Sequence, residues 1–143
     1  MKEFKIQPDS TYFIDTNIWL YSFIQAQDKK KTETAKNIIK GCDIFISTQI
    51  INEMCINLIK KVNFSEDKIH NLIESLYKKY TVVELSQDIL LKSSDIRNNH
   101  QFSFWDSIVV ASALDCDADY LLSEDMQDNF TFKSGLKILN PFK

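Results

Sequence analysis

Five short apolar runs recur along the chain: TYFID at 11–15, DIFIS at 43–47, TVVEL at 81–85, YLLS at 120–123 and LKIL at 136–139. Runs of this length, rich in aromatic and branched residues, read as buried strands, and longer stretches with apolar residues at helical spacing separate them. Strands joined by helices cannot be hairpin partners. They lie parallel, with the connecting helices packed on the faces of the sheet. The alternation therefore predicts an α/β fold of three layers, α/β/α, around a short central parallel sheet. In such a sheet the strands end along one edge, and that edge holds the site.

The helical stretches can be placed by their caps and stripes. One short helix spans 17–24. Thr32 is the expected cap of a second, in which Ala35, Ile38 and Ile39 share a face before Gly41 ends it. From Thr48 the stripe is Ile50, Ile51, Met54, Cys55, Leu58, Ile59 and Val62. Ser65, Glu66 and Asp67 open a fourth helix with Ile69, Leu72, Ile73, Leu76 and Tyr77 inward, and Lys78 and Lys79 suit its negative end. Ser86 starts a fifth, running to about Arg97 with Ile89, Leu90 and Ile96 inward and Asn98 and Asn99 ending it. A sixth spans 103–115, with Trp105, Ile108, Val109, Ser112 and Ala113 on related turns. No repeat, linker or low-complexity segment interrupts the pattern, and 143 residues suit a single domain, 1–143.

Composition removes several functions. With only Gly41 and Gly135, a GxGxxG dinucleotide loop, a GxxxxGK phosphate loop and a GxSxG nucleophile elbow cannot be written. Cys42, Cys55 and Cys116 form no CxxC pair and are odd in number, which fits small buried hydrophobes in a reducing compartment better than disulfides or a thiolate zinc site. Residues 1–9 carry acids and a proline where a signal peptide needs an apolar stretch, and no window approaches a membrane span, so a cytoplasmic protein is expected. A net charge of -3 argues against holding nucleic acid by bulk electrostatics, so what matters is where the acids fall.

Asp15 closes the first apolar run, where a charge is costly without a partner, though it is also what a helix cap requires. Glu53 lies beside Met54, at the border of the third helix's stripe. Asp106 opens a helix, where the dipole favours an acid in any case, and Asp125 sits in a turn after the YLLS run. Each has an ordinary explanation by itself. Together, two lie just past ends of parallel strands and a third starts a helix packed on that sheet, so the set can converge. Converging carboxylates repel one another unless a cation intervenes. Oxygen ligands without His or Cys select Mg²⁺ or Mn²⁺ over zinc, and one or two such ions would suit phosphoryl transfer by activated water.

The segments around these acids also resemble a family. Asp15-Thr16-Asn17, Glu53, Phe104-Trp105-Asp106 through Ala111-Ser112-Ala113, and Leu121-Leu122-Ser123-Glu124-Asp125 are similar, in order and spacing from Tyr12 to Pro141, to the PIN-domain ribonucleases. The ending Ile138-Leu139-Asn140-Pro141-Phe142 is similar to that of VapC-type toxins of toxin–antitoxin pairs. The resemblance implies a PIN-like fold and a metal-dependent endoribonuclease. It further implies Asp15, Glu53, Asp106 and Asp125 as the catalytic and metal-binding acids, and Asn17 or Ser123 in support. A homodimer held inactive by a small antitoxin, and an RNA substrate, are the partners it implies. Where many members carry Asp-Phe after the last acid, this chain has Met126-Gln127-Asp128, which leaves the parts of Glu124 and Asp128 open.

Other readings use acids at strand ends. A haloacid-dehalogenase-like phosphatase needs a second Asp two positions after the nucleophile, and Asn17 stands there. A phospho-accepting receiver needs a paired acid and a late Lys that are not well placed. A non-catalytic PIN-like module that binds RNA or protein would leave an intact acid quartet without a purpose. Phe102, Phe104 and Trp105 fit core packing, with stacking on RNA bases as the alternative. Lys29–Lys31, Lys60, Lys61, Lys78 and Lys79 fit solvated helix ends, with phosphate contacts as the alternative. His70 and His100 have no partner at catalytic spacing.

Overall fold

A computed structural model describes residues 4–24 and 28–143, so the start of the amino-terminal segment read above, residues 1–3, lies outside the described residues. The elements run β1 (Thr11–Ile14), α1 (Thr16–Phe23), α2 (Lys29–Gly41), β2 (Asp43–Ser47), α3 (Thr48–Val62), α4 (Glu66–Lys79), β3 (Thr81–Val83), α5 (Gln87–Asn99), α6 (Phe104–Asp115), β4 (Tyr120–Leu122), β5 (Phe130–Thr131) and β6 (Lys137–Leu139). One six-stranded sheet has the order β3-β2-β1-β4-β6-β5. Every pairing is parallel except β5 with β6. The expected α/β architecture with a central, mainly parallel sheet is what forms.

The strand order reverses at β1. The chain first builds outward through β2 and β3, then returns to add β4 on the other side of β1. That arrangement opens a crevice at the carboxyl ends of β1 and β4, because the chain leaving β1 runs through α1 and α2 to β2 on one side, whereas the chain leaving β4 turns towards β5 and β6 on the other. The two strands are in register, Ile14 opposite Leu122, and both side chains are fully buried. Phe13, Ile46, Leu121 and Ile138 fill the rest of the sheet's core, and Ile18, Ile50, Met54 and Leu58 cover it from the helices.

Caps explain most boundaries. Ser47, Ser65, Ser86 and Ser103 each accept a backbone N–H from the first turn of the helix that follows. The expectation for Thr32 is corrected: α2 begins earlier, where the Asp28 side chain accepts from the Lys30 N–H at 2.9 Å, and Thr32 is buried within the helix. Three consecutive lysines oppose the helix dipole at that end, but the Asp28 cap prevails. Strand β5 was not expected, since two residues carry no periodicity. It forms because the chain doubles back through Gly135 at φ 105°, with Phe132 N–H donating to Leu136 O at 2.9 Å.

Helix α5 is rotated from its expected setting. Ile89, Ser93 and Ile96 face inward while Leu90 is 49% exposed, so only a narrow stripe meets α6. Tyr77 on α4 is likewise exposed. Among the described residues no helix is long and apolar enough to cross a membrane. The contrast on α5 is testable by urea unfolding: Ile89→Ala should cost about 2–5 kcal/mol, whereas Leu90→Gln should stay within about 0.5 kcal/mol. Equal losses would mean that Leu90 is covered.

Candidate active site

Asp15 follows β1 directly and Ser123 follows β4, so the strand register sets them side by side. The Asp15 N–H continues the ladder, donating to Leu122 O at 2.9 Å. Its side chain then does two things. Oδ1 caps α1 by accepting the Thr16 N–H at 2.8 Å, and Oδ2 accepts the Ser123 hydroxyl at 2.9 Å. Both readings of Asp15 therefore hold, a cap and an acid held in the crevice. Ser123 is fully buried and in turn accepts from the N–H groups of Asp125 and Met126, at 3.3 and 3.2 Å, which folds the turn after β4.

The other acids arrive from three elements. Glu53 lies on the second turn of α3, half-buried, and its Oε2 accepts the Thr16 hydroxyl at 2.6 Å. Its Oε1 accepts Nε2 of Gln49 at 3.1 Å, and the same amide nitrogen donates to the Trp105 carbonyl at 3.2 Å. Gln49 thus ties α3 to the start of α6. Its own Oε1 is a buried atom without a hydrogen-bond partner. Asp106 is in the first turn of α6, where its N–H donates to Ser103 Oγ at 3.1 Å. Asp125 is exposed and accepts Nδ2 of Asn17 at 2.7 Å.

Electrostatics show which acids feel one another. Burial pushes Asp15 up to about 6, against the Thr16 and Ser123 hydrogen bonds, and the charges of Asp106 and Glu53 add to the rise. Burial raises Asp106 as well, with Asp125 and Glu53 contributing. Like-charge repulsion therefore links all four carboxylates across the crevice. The donors are carboxylate and hydroxyl oxygens, with His70 paired to Glu74 on the surface and His100 among Phe102, Phe130 and Phe132. That chemistry suits a hard cation. Among the described residues, however, no three acids, histidines or cysteines form a ready-made metal cage, so the carboxylates would draw together around an ion.

Glu124 and Asp128, left open by sequence, have other partners. Glu124 accepts the Tyr21 hydroxyl at 2.6 Å and forms an ion pair with Lys31, whose ammonium also lies over the Tyr21 and Phe142 rings. Burial would raise the Glu124 carboxyl, but Lys31 and Tyr21 outweigh it and hold Glu124 below the usual range. Asp128 accepts the Asn140 N–H at 2.8 Å, and the Asn140 amide donates to Glu124 O at 3.3 Å. These contacts clasp the turn that carries Asp125. Lys31 is thus engaged by an acid, while Lys29, Lys30, Lys60, Lys61, Lys78 and Lys79 are exposed. Of the thiols, Cys55 is buried, whereas Cys42 and Cys116 are half-buried and pushed up by burial to about 12 and about 11.

The core-packing expectation for the aromatics is corrected for two of them. Phe104 and Trp105 are 55% and 63% exposed, since they precede the buried stretch of α6 that begins at Ser107, while Phe102 packs against Phe130 and Phe132. Sequence reading missed Gln49, although its spacing of four residues from Glu53 on one helix is a contact signal. Tyr21 gave no signal, being 103 residues from Glu124.

The raised acids fix a sign. A carboxyl whose folded value lies near 6 and unfolded value near 4 keeps its proton only in the folded state between them. Metal-free stability should therefore fall from pH 4 to pH 6, by on the order of 2–3 kcal/mol for Asp15, and level off above. Asp106→Asn removes one repelling charge, so it should raise the metal-free melting temperature at pH 7 by about 2–6 °C and shrink the further rise on adding Mn²⁺. An unchanged melting point with an undiminished metal shift would reject a shared site.

Comparison with known proteins places this geometry. No curated protein matches the chain by sequence. Among solved structures, a chain of a toxin–antitoxin complex from Klebsiella pneumoniae superposes with a TM-score of 0.67 at 19% identity, covering 91% of this chain and 97% of that one. VapBC-1 from nontypeable Haemophilus influenzae gives 0.62 at 18% identity, covering 93% and 99%. Mycobacterium tuberculosis VapC20, a toxin that cleaves the sarcin–ricin loop, gives 0.63 at 14% identity, covering 77% and 86%. The fold is the one these chains share. The PIN domain sequence profile matches residues 12–130, a span that runs from β1 into β5 and takes in all four acids, and on that match the chain belongs to the PIN domain family.

Proposed function

We propose that this chain is a metal-dependent endoribonuclease that hydrolyses RNA phosphodiesters and is the toxin of a toxin–antitoxin pair. The arrangement that carries the reading lies at the crevice between the ends of β1 and β4, where Asp15 rests on Ser123 and Thr16, Thr16 also holds Glu53, Asn17 holds Asp125, and Asp106 opens α6 beside the Gln49 contact. An Asp15 raised chiefly by burial, with the charges of Asp106 and Glu53 adding to the rise, is poorly explained by stability alone and well explained by a bound cation. The similar chain from a toxin–antitoxin complex and VapC20, a toxin that cleaves the sarcin–ricin loop, support the same reading. A single PIN domain acting as a homodimer, bound and silenced by a small antitoxin that offers a basic side chain to the acids, completes it.

The residues divide the work. Asp15, Glu53, Asp106 and Asp125 would hold one or two Mg²⁺ or Mn²⁺ ions through carboxylate oxygens. Such ions, when bound, stabilise charge developing on the phosphoryl oxygens and favour deprotonation of an attacking water at neutral pH. Ser123 and the Thr16 N–H fix both oxygens of Asp15, Thr16 and Gln49 fix both oxygens of Glu53, and Asn17 steadies Asp125. These hydrogen bonds restrict the rotamers of Asp15, Glu53 and Asp125, and so limit the movement by which the carboxylates would draw together around an ion.

The purified chain should cleave single-stranded RNA with Mg²⁺ or Mn²⁺, and EDTA should abolish cleavage. Asp106→Asn should lower the rate by about 100-fold or more at a preserved fold, while His70→Ala and His100→Ala leave it unchanged. Full activity in EDTA that tracks the histidines would reject the hard-metal mechanism. Expressed with its genomic neighbours, the chain should co-purify with a small inhibitory protein, and failure of every neighbour to bind or inhibit would leave a stand-alone nuclease.

A further inference from the structure

We propose that Trp105, with Phe104 and Arg97, forms a subsite that receives an unpaired nucleobase and the adjoining phosphate of a single-stranded substrate beside the acid crevice. Two large aromatic side chains at the start of α6 are left more than half exposed, at 55% and 63%, although burial is the usual fate of such surface. They are arranged. Their rings meet edge to face at 5.2 Å, and the Arg97 guanidinium lies 4.4 Å over the Phe104 ring. Arg97 donates to the hydroxyls of Ser107 at 2.7 Å and Ser93 at 3.3 Å, and has no carboxylate within ion-pair distance among the described residues. A fixed guanidinium without an acid, next to an open indole, matches a nucleotide in both parts: a flat face for the base and a cation for the phosphate.

Location favours nucleic acid over a protein partner. Trp105 immediately precedes Asp106, and its carbonyl is held by the Gln49 amide that also holds Glu53. The backbone that carries the indole is therefore fixed relative to the acids, and the indole itself rests edge to face on Phe104, a placement that suits a base flanking a scissile phosphate. Arg97 donates to Ser107, the residue after Asp106, so the cation lies on the same turn. The inference takes its location from the nuclease reading and is tested without it.

Trp105 is its own reporter, because the other tryptophan, Trp19, is 1% exposed with its indole N–H bonded to Ile14 O. The Asp106→Asn chain in Mg²⁺ buffer is titrated with a short single-stranded oligouridylate, with an abasic oligonucleotide of equal length, and with an RNA duplex. Oligouridylate should quench the Trp105 emission saturably, and the abasic strand and duplex should not. By binding of a labelled strand, Trp105→Ala should lose about tenfold and Trp105→Phe should recover most of it, while Arg97→Met should reduce the salt slope by about one. In the otherwise wild-type chain Trp105→Ala should raise KM and spare kcat. Equal binding of the abasic strand, or saturable binding without quenching, would overturn the subsite. So would an RNA-free emission already shifted to the blue and changing with protein dilution, which would assign the surface to a second copy of the chain. Quenching with no RNA cleaved by wild type would reject the nuclease and keep the subsite, and cleavage with unchanged KM in Trp105→Ala would do the reverse.

Discussion

Everything at the crevice depends on the register of β1 against β4. Ile14 opposite Leu122 puts Asp15 and Ser123 at the same height, and the hydrogen bond between them lets an acid sit at the edge of a sealed core. A slip of one residue would turn Asp15 into the sheet face and Ile14 into the crevice, since side chains alternate along a strand. The helices inherit the placement. Thr16, the first residue of α1, reaches Glu53 on α3, and Asn17 reaches Asp125 after β4, so one junction orients acids from two distant elements.

Such a junction is costly to maintain. Four carboxylates share a small region, one of them almost wholly buried, and a fold optimised for stability alone would place apolar groups there. The surrounding structure compensates with neutral donors: two hydroxyls, two amides and the backbone N–H of Thr16 oppose the repulsion without cancelling the charge. A lysine in the crevice would neutralise the acids and occupy the space a cation needs. Lys31 on α2 pairs instead with Glu124, the residue before Asp125.

How much of this was readable depended on how local each signal was. Strands were legible as apolar runs, and Ser65 and Ser86 as the residues that open the helices after them, whereas Ser47 reads as the end of a strand and Ser103 as the start of a helix, and both prove to be caps. Asp15 and Asp106 stood out for the same reason, each at an element boundary, and Glu53 at the margin of a stripe. The turn holding Asp125 could be located but not its attachments, because Glu124 to Lys31 and Asp128 to Asn140 pair residues that no periodicity connects. The aromatics of α6 misled in the usual direction. Hydrophobicity says what a side chain would gain by burial, and only the docking angle of the helix decides which faces receive it. Thr32 and Leu90 were missed for related reasons, one displaced by a stronger cap upstream and the other by a small rotation of α5.

The position of β6 bears on how the molecule comes into being. Although late in the chain, this strand is inserted between β4 and β5, and the residues just after it close the clasp on the turn that bears Asp125. A polypeptide made from its amino end can assemble β1, β2 and β3 early, but the acid-bearing turn stays unfastened until residues 137–142 have left the ribosome. The nascent chain thus carries most of its core before it carries a finished crevice. Completion of the crevice therefore waits on translation of this segment.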